Sequence, residues 1–348
     1  MNVQQAAWRA RTLPPVEKLA AGLVSVPVPI PNNPLRYTLS YLVPGDDGLV
    51  VVDPGWDSDA GWDALTAGLA AAGATAADVT GVVLTHVHPD HHGLTARLRD
   101  ASGAWVAMHP AERRAMLRDR AAEPAEALGG YLRQFQVPEE RIAGLLSAFG
   151  AAVGTLFAPL ADADVMLNDG DLVPLAGRRL RAIWTPGHTP GHLCLLDDGA
   201  QMLLTGDHVL PRISPNIGLQ ISGGDDPLGQ YLESLGKVAG YDECEALPGH
   251  EYRFHGIAAR AAELGEHHRQ RCREILAAVD RLGAATVWQV AGELTWSRPW
   301  AEIGPMLVGA VAETAAHVEL LVRAGDLTHK PGPDGIPLLV ATSLDLGR

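Results

Sequence analysis

Short apolar runs separated by turn residues open the chain and predict a β-sheet. Residues 23–30 and 37–42 form two such runs, and the prolines and asparagines between them favour a hairpin. The next run, residues 49–52, is followed by an Ala-rich helical stretch, residues 56–73, and then by residues 82–84. A strand, a helix and a further strand in this order predict parallel strands, with a ligand site at their carboxyl ends.

A helical period replaces the strand pattern in the middle of the chain. Residues 109–160 are predicted to be helical throughout, and the apolar residues of the last part repeat at helical spacing: Ile142, Leu145, Leu146, Phe149, Val153, Leu156 and Phe157. This segment is either a helical pair that packs on the main core or a lid whose apolar face lines a substrate pocket. Short strands then return at residues 180–184, 193–196 and 202–204.

The last quarter of the chain is predicted to be helical and to end in a short hairpin. Helices are predicted at residues 266–282, 286–294 and 301–324. Two extended segments follow within residues 327–341, on either side of a Pro-Gly-Pro-Asp-Gly turn. We therefore expect an α/β catalytic domain at residues 1–262, with a helical insertion at about 109–160, and a small α+β domain at residues 263–348.

Length, composition and charge narrow the classes of protein that this pattern allows. At 348 residues the chain exceeds one average domain, and its 47% hydrophobic content supplies a packed core. The formal net charge of -14 argues against a nucleic-acid-binding protein, because an acidic surface repels a phosphate backbone. We therefore expect no nucleic-acid partner.

The cysteines and the longest apolar runs give information on the cellular compartment of the protein. Cys194, Cys244 and Cys272 are too few and too scattered for a disulfide framework or a cysteine-based zinc site, which fits a reducing cytosol. The first fifteen residues lack the apolar core of a signal peptide, and no run approaches eighteen apolar residues. The expectation is a cytoplasmic protein without a membrane partner.

Residues 85–93 carry the densest cluster of candidate metal ligands. They read Thr-His-Val-His-Pro-Asp-His-His-Gly and follow the predicted strand at residues 82–84. Imidazole and carboxylate groups are the side chains that hold divalent transition metals. Four histidines and an aspartate within one turn at a strand end therefore predict a metal site, with His86, His88, Asp90 and His91 as candidate ligands.

Three later strands also end at ligand-type residues. His188 lies in a Thr-Pro-Gly-His-Thr-Pro-Gly-His segment, Asp207 follows a glycine after residues 202–204, and His250 follows Pro-Gly. Convergence of four strand ends on one site is the simplest interpretation. Asp53, which also follows a predicted strand, is either an ordinary turn residue or a group that orients the histidine loop.

The ligand pattern and its order along the chain resemble the metallo-β-lactamase-fold hydrolase superfamily, over roughly residues 20–260. The resemblance implies one metal held by His86, His88 and His188, and a second held by Asp90, His91 and His250, with Asp207 bridging both. It also implies a four-layer αβ/βα sandwich with the site at one edge of two packed sheets. The presence of Asp207 separates this chain from true metallo-β-lactamases and makes the ligand set similar to that of glyoxalase II.

A binuclear site of this kind indicates hydrolysis. Two divalent ions about 3.5–4 Å apart hold a bridging hydroxide and polarise the bond that it attacks. Asp90 is the candidate for receiving or relaying the proton. Zinc is the expected metal, although iron and manganese accept the same ligands.

We expect the substrate to be a small ester, thioester or related acyl compound. The sequence is compatible with a homo-oligomer but does not determine the oligomeric state. Leu210 stands where an acyl-homoserine lactonase would carry tyrosine, and no basic cluster suited to glutathione is evident. One alternative is a phosphodiesterase or nuclease with the same metal site, but such an enzyme requires a basic groove. The other alternative is a scaffold or redox relative of the hydrolases. The complete ligand set weakens the last of these.

The histidines outside the predicted ligand set are not expected to bind metal directly. His92 and His192 either orient the ligands or lie at the surface, and His208 is a candidate for facing the substrate. The positions of the remaining histidines along the chain do not indicate that they belong to the site. They are interpreted as surface or core residues.

The predicted C-terminal domain resembles the small winged-helix domain found in some members of the superfamily. From residue 265 to residue 348 there are eight basic and ten acidic residues, which argues against DNA binding. Packing on the catalytic domain, dimerisation, or closure of one side of the substrate cleft fits this charge better. Trp288, Trp296 and Trp300 are interpreted as anchors of a core or an interface.

Overall fold

The computed structural model describes residues 1–119, 124–156, 161–218, 226–333 and 336–342. The side chains of residues 118–119, 124 and 148–156 lie outside this description. The apolar face predicted for the insertion therefore falls partly outside the described residues, since Phe149, Val153, Leu156 and Phe157 are among those not described. Residues 334 and 335 of the predicted C-terminal turn also lie outside them.

Within the described residues the strands form a seven-stranded sheet, a four-stranded sheet and a C-terminal hairpin. The strands are β1 (Glu17–Lys18), β2 (Val24–Pro29), β3 (Tyr37–Gly45), β4 (Gly48–Val52), β5 (Val79–Val83), β6 (Trp105–Met108), β7 (Val165–Met166), β8 (Leu180–Trp184), β9 (Leu193–Asp197), β10 (Met202–Gly206), β11 (Glu245–Pro248), β12 (Leu327–Pro331) and β13 (Pro337–Ala341). The first sheet runs in the order β1 to β7, and the second in the order β11-β10-β9-β8.

The helices connect these strands and cover the outer faces of the two sheets. They are α1 (Val3–Ala10), α2 (Asp59–Ala72), α3 (Pro89–His92), α4 (Thr95–Ser102), α5 (Pro110–Asp119), α6 (Pro124–Gln134), α7 (Glu139–Leu156), α8 (Pro227–Val238), α9 (Ile257–Leu282), α10 (Val287–Glu293) and α11 (Leu307–Ala324). Capping residues fix where several begin: the Ser58 side chain accepts a hydrogen bond from the Gly61 N–H at the start of α2.

Strand direction places the ends of several strands at one edge of the molecule. β2 and β3 form the predicted antiparallel hairpin, β4 pairs antiparallel with β3, and β4 to β7 are parallel. In the second sheet β10 and β11 are parallel, whereas β8, β9 and β10 are antiparallel. The βαβ unit predicted from residues 49–84 is confirmed, and its carboxyl ends lie next to the loops that carry the predicted metal ligands.

Three apolar layers hold the two sheets and their helices together. Between the sheets, Leu39, Tyr41 and Val50 of the first sheet pack in one cluster with Leu195 and Leu204 of the second. The outer face of the first sheet packs on α2 and α4, and that of the second packs on α8 and α9. The predicted four-layer αβ/βα sandwich is confirmed.

The helical insertion packs on the C-terminal region rather than on the main core. Leu132 and Ile142, on α6 and α7, share an apolar cluster with Ile303, Leu307 and Val311. The three tryptophans predicted as anchors, Trp288, Trp296 and Trp300, are half-buried against the same cluster. The described apolar face of the insertion is therefore buried against another helix layer and does not line an open cleft.

The C-terminal region consists of helices and the β12–β13 hairpin, as predicted. Helix α9 begins at Ile257 and crosses the boundary that we expect between residues 262 and 263, so the two parts of the chain share one continuous helix. The segment Gly304–Ala324 has the length and composition of a membrane-spanning helix, but 56% of its 18-residue apolar window is buried within the protein. The domain boundary and the likeness to a winged helix stay predictions.

A buried ion pair joins the sheets at the edge opposite the histidine loops. Arg178 Nε donates to Asp197 Oδ2 at 2.5 Å, and both side chains are at most 10% exposed. Asp197 Oδ1 accepts from the Ala200 N–H at 3.0 Å, and Arg178 Nη1 donates to the Ala21 carbonyl oxygen at 3.0 Å. The neighbouring pair Arg181 and Asp198 is much more exposed and offers a matched comparison.

We expect Asp197→Ala to lower the free energy of unfolding by about 3–5 kcal/mol, because it leaves the Arg178 guanidinium buried without its partner. Asp198→Ala should lower it by at most about 1 kcal/mol, since the pair that it removes is exposed to solvent. Urea denaturation of both variants measures the difference. Equal midpoints for the two variants would contradict a structural role for the buried pair.

Candidate metal centre

Three imidazole rings meet in the first half of the site. His86 and His88 follow β5, and His188 follows β8 of the other sheet. His86 Nε2 lies 3.0 Å from His88 Nδ1, and His188 Nε2 lies 3.1 Å from the same atom. Two nitrogens that bind one zinc ion tetrahedrally at ~2.0–2.1 Å lie about 3.3 Å apart. The three rings therefore have the spacing of a group that could hold one metal ion.

A carboxylate and two rings form the second half. His250 Nε2, at the end of β11, lies 3.3 Å from Asp90 Oδ2 and 3.4 Å from His91 Nε2. His91 Nε2 lies 3.9 Å from Asp90 Oδ2. These atoms also have a spacing suited to one metal ion.

Asp207 lies between the two groups. Its Oδ2 is 3.7 Å from His188 Nε2 and 3.4 Å from His250 Nε2, and its Oδ1 is 3.5 Å from His91 Nε2. Oδ1 is buried and accepts no hydrogen bond from the described residues. A buried carboxylate oxygen without a donor is costly, so this atom is suited to a cation.

Three of the predicted ligand rings, His188, His250 and His91, are hydrogen-bonded on the side that faces away from the centre. His188 Nδ1 donates to the Asn216 carbonyl oxygen at 2.8 Å, and His250 Nδ1 donates to the Tyr37 carbonyl oxygen at 2.9 Å. His91 Nδ1 lies 2.8 Å from Asp53 Oδ2. These bonds assign the proton to Nδ1 and leave the Nε2 lone pair directed inward, which is the form that binds a metal.

Asp53 orients the histidine loop, which was one of the two roles open from its sequence position. Its Oδ1 accepts from the Thr85 N–H at 2.8 Å, and its Oδ2 accepts from the Thr85 hydroxyl at 2.6 Å as well as from His91. Because Thr85 Oγ1 donates to Asp53, it accepts from His86 Nδ1, 3.0 Å away. Asp53 has a φ of 52°, a left-handed conformation that is uncommon for a non-glycine residue and is typical of functional sites.

Glu112, at the start of α5, ties the two histidine loops together and was missed by the sequence analysis. Its Oε1 accepts from the Val87 N–H at 3.0 Å, and its Oε2 accepts from the Gly191 N–H at 2.8 Å. The side chain is completely buried. Its position was the one signal in the sequence, because Glu112 follows β6 at the same sheet edge as the histidines. The helical pattern around it gave no reason to assign it to the site.

The histidines outside the ligand set are mostly buried. His192 Nε2 accepts from the Asp207 N–H at 3.2 Å, and its Nδ1 therefore carries the proton and donates to Thr185 Oγ1 at 2.9 Å. His192 thus orients the Asp207 loop, and His92 is buried rather than at the surface. His208 is fully buried against the Tyr231 ring, with centroids 5.1 Å apart, and is not exposed to solvent.

Close packing leaves no room for a side chain between Pro248 and His250. A Cβ added at Gly249 would lie 2.6 Å from His91 Cε1 and 2.8 Å from Asp207 Oδ1. Glycine is therefore required at this position for the His250 loop to approach the other ligand loops.

The electrostatics differ between the two halves of the centre. Burial and the neighbouring His188 ring lower the pKa of His88 to about 3, and burial lowers that of His188. Burial also lowers the pKa of His250, but Asp207 and Asp90 outweigh this effect and raise it to about 10. The first half thus presents neutral imidazoles, whereas the second half favours a positive charge between its carboxylates, and both conditions suit a divalent cation.

Comparison with known proteins identifies the family. A model described as the Metallo-beta-lactamase superfamily matches residues 33–250, more than half of the chain. A metallo-beta-lactamase family protein from Thermus thermophilus is 30% identical, with a TM-score of 0.76 over 92% of this chain and 99% of that one. A beta-lactamase domain protein from Burkholderia ambifaria is 25% identical, with a TM-score of 0.78 over 94% and 93% of the two chains.

Curated relatives agree with the structural comparison. The Lactamase-like protein adaB of Aspergillus niger is 26% identical over 306 residues, which cover 86% of this chain and 77% of that protein. A hydroxyacylglutathione hydrolase from Photobacterium profundum is 34% identical over 136 residues, 39% of this chain and 51% of that protein. The chain belongs to the metallo-beta-lactamase superfamily, whose members are generally metal-dependent hydrolases.

Proposed function

We propose that this protein is a binuclear metal-dependent hydrolase of a small ester, thioester or related acyl bond. The observation that carries the proposal is the position of Asp207, whose two carboxylate oxygens lie within 3.7 Å of ring nitrogens from both ligand groups. A single carboxylate in reach of both groups is what a paired site requires.

The ligand assignment follows from the atoms that face inward. His86, His88 and His188 would hold one ion, and Asp90, His91 and His250 would hold the other, with Asp207 shared. We propose zinc, because zinc accepts a mixed imidazole and carboxylate set, and iron or manganese would use the same ligands. When bound, the ions supply an activated water at neutral pH and a Lewis acid for the substrate carbonyl oxygen.

Among the described residues, Asp90 is the candidate for transferring a proton. Its side chain is 15% exposed, more than the rings of His91 and His250, and its Oδ2 lies 3.3 Å from His250 Nε2. Burial raises the pKa of Asp90, but His91 and His250 outweigh it and hold this pKa below its usual value. Such a carboxylate is a weak base, so Asp90 relays a proton to the leaving group or to solvent rather than storing it.

An acyl substrate fits the charge of the protein better than a phosphodiester does. The net charge of -14 disfavours a polyanionic substrate, and one relative is named as a hydrolase of hydroxyacylglutathione, an acyl compound. Leu210 is buried and cannot offer the hydroxyl that a lactonase tyrosine would supply. A cytoplasmic location and the absence of nucleic-acid and membrane partners stay predictions, as does the oligomeric state.

Metal content and substrate class can be measured together. We expect close to two metal ions per chain by elemental analysis, and turnover of aryl esters or thioesters above that of bis(p-nitrophenyl) phosphate. Cleavage of the phosphodiester alone would favour the nuclease alternative. Less than one metal per chain after reconstitution would contradict the ligand assignment.

Asp207→Ala should abolish turnover and lower the metal content from about two ions toward one, because it removes the carboxylate whose oxygens lie within 3.7 Å of inward-facing ring nitrogens of both groups. Asp198→Ala is the control, since its side chain is 44% exposed and pairs with Arg181. Activity and metal content are measured on the same samples. Full activity of Asp207→Ala would rule out the paired site.

Glu112→Gln should weaken metal binding about 10- to 100-fold, the usual effect of removing a group that supports metal ligands. The amide can accept from only one of the Val87 and Gly191 N–H groups and presents its own N–H to the other. Competition with a chelator measures the affinity. Glu126→Gln, at an exposed position of the same insertion, is the control, and equal affinities would show that the clamp is dispensable.

A further inference from the structure

Asp207 and His250 follow neighbouring parallel strands, β10 and β11, and lie close together at the candidate metal centre. Asp207 Oδ2 is 3.4 Å from His250 Nε2. The residues just before the two ligands are joined by the Gly249 N–H, which donates to the Gly206 carbonyl oxygen at 2.8 Å. Because a metal centre needs its ligands held to within about 0.5 Å, the chain that follows each ligand must also be fixed.

The side chain of Glu251 joins the two stretches of chain that follow these ligands. Glu251 is 5% exposed, and its Oε2 accepts from the Arg212 N–H at 2.9 Å and from the Ile213 N–H at 3.4 Å. Two successive N–H groups thus converge on one carboxylate oxygen, an arrangement that favours an anion. This side chain therefore holds residues 207–213, here named the Asp207 segment, against the turn to which Glu251 belongs.

The turn that carries Glu251 is itself fixed by buried hydrogen bonds. Tyr37 donates its hydroxyl to the Glu251 carbonyl oxygen at 2.6 Å, and its own carbonyl oxygen accepts from His250 Nδ1 at 2.9 Å. Two residues further along the chain, the Arg253 N–H donates to Gln4 Oε1 at 2.9 Å, and Gln4 is buried. Neither Glu251 nor the His250 ring can shift without breaking some of these bonds.

The backbone of Glu251 is strained, which supports a functional role for its side chain. Its φ is 69°, in the left-handed region that glycine adopts freely and that other residues rarely adopt. The hydrogen bonds to its carboxylate and to its carbonyl oxygen offset this cost. The left-handed conformation turns the side chain toward the Asp207 segment.

Arg260, on α9, binds the same segment through its carbonyl groups. Its Nε donates to the Leu210 carbonyl oxygen at 2.8 Å, and its Nη2 donates to those of Arg212 and Ile213 at 2.8 and 3.0 Å. Glu251 thus accepts from N–H groups of the segment, and Arg260 donates to its carbonyl groups. The Asp207 segment is held from two sides by side chains that satisfy both kinds of backbone group.

We propose that Glu251 is a positioning residue that holds Asp207 and His250 at the separation that the second metal ion requires. This inference rests on the proposed binuclear site. Among the described residues, Glu251 is not part of any group of side chains that could hold a metal ion, so it acts through the two ligands. The first ligand group keeps its three imidazoles, which come from other loops, and loss of Glu251 should therefore weaken the second ion more than the first.

Glu251→Met tests the proposal, because methionine has a similar length and is at most a weak acceptor for the two N–H groups. Titration of the metal-free protein with Co²⁺, followed by visible absorption, resolves the first and second equivalents. We expect the second equivalent to bind about 10- to 100-fold more weakly than in the native protein, the usual effect of removing a group that supports metal ligands. The first equivalent should bind with unchanged affinity.

Glu251→Gln is the conservative variant that separates positioning from a general loss of stability. Its amide oxygen still accepts from both N–H groups, so most of the native affinity for the second equivalent should be retained. Glu243→Met, at an exposed residue just before β11, is the matched control. Equal weakening of both equivalents in Glu251→Met, no weakening of either, or the same weakening in Glu251→Gln would overturn the proposal.

Amide hydrogen exchange of the metal-free protein tests the contact of Glu251 with the Asp207 segment independently of metal binding. Glu251→Met should speed exchange of a peptide that contains residues 212 and 213 about tenfold, and Glu243→Met should leave it unchanged. Faster exchange would support the positioning role even if the native protein binds fewer than two ions, an outcome that would overturn the proposed binuclear site alone. Unchanged exchange in Glu251→Met would show that Glu251 does not hold the segment.

Discussion

The buried carboxylate of Asp53 fixes one imidazole ring in each half of the candidate metal centre. It contacts His91 directly, and it fixes His86 through the hydroxyl of Thr85. An imidazole that lacked such a bond could turn its ring and present the wrong nitrogen. The two halves therefore share one orienting group at the outer side, as they share Asp207 at the inner side.

This arrangement depends on the parallel ends of β4 and β5. The Asp53 N–H donates to the Val83 carbonyl oxygen at 3.0 Å, which sets the register between the two strand ends. The left-handed backbone of Asp53 then turns its carboxylate toward Thr85 rather than along the strand. The strain of that conformation is offset by three hydrogen bonds to a buried carboxylate.

The convergence of the ligand loops could be predicted from local patterns, whereas the four-layer sandwich was implied by the resemblance to the family. Apolar runs that end at Gly, Pro, His and Asp place ligands at strand ends, and parallel strands bring these ends together. The role of Glu112 could not be predicted, since a lone acid in a helical segment gives no signal of its contacts with Val87 and Gly191. The packing of the insertion on the C-terminal helices was equally hidden, because an apolar helix face does not specify its partner.

Glu112 also limits how relatives of this protein can be recombined. An insertion between β6 and β7 is an obvious unit to exchange when a hydrolase of this fold is to be given a new specificity. In this chain the first turn of that unit contains the clamp on both histidine loops, and its later helices pack on Ile303, Leu307 and Val311. A chimaera would therefore have to keep the first turn of α5 and exchange α6 and α7 together with the C-terminal helices that they contact.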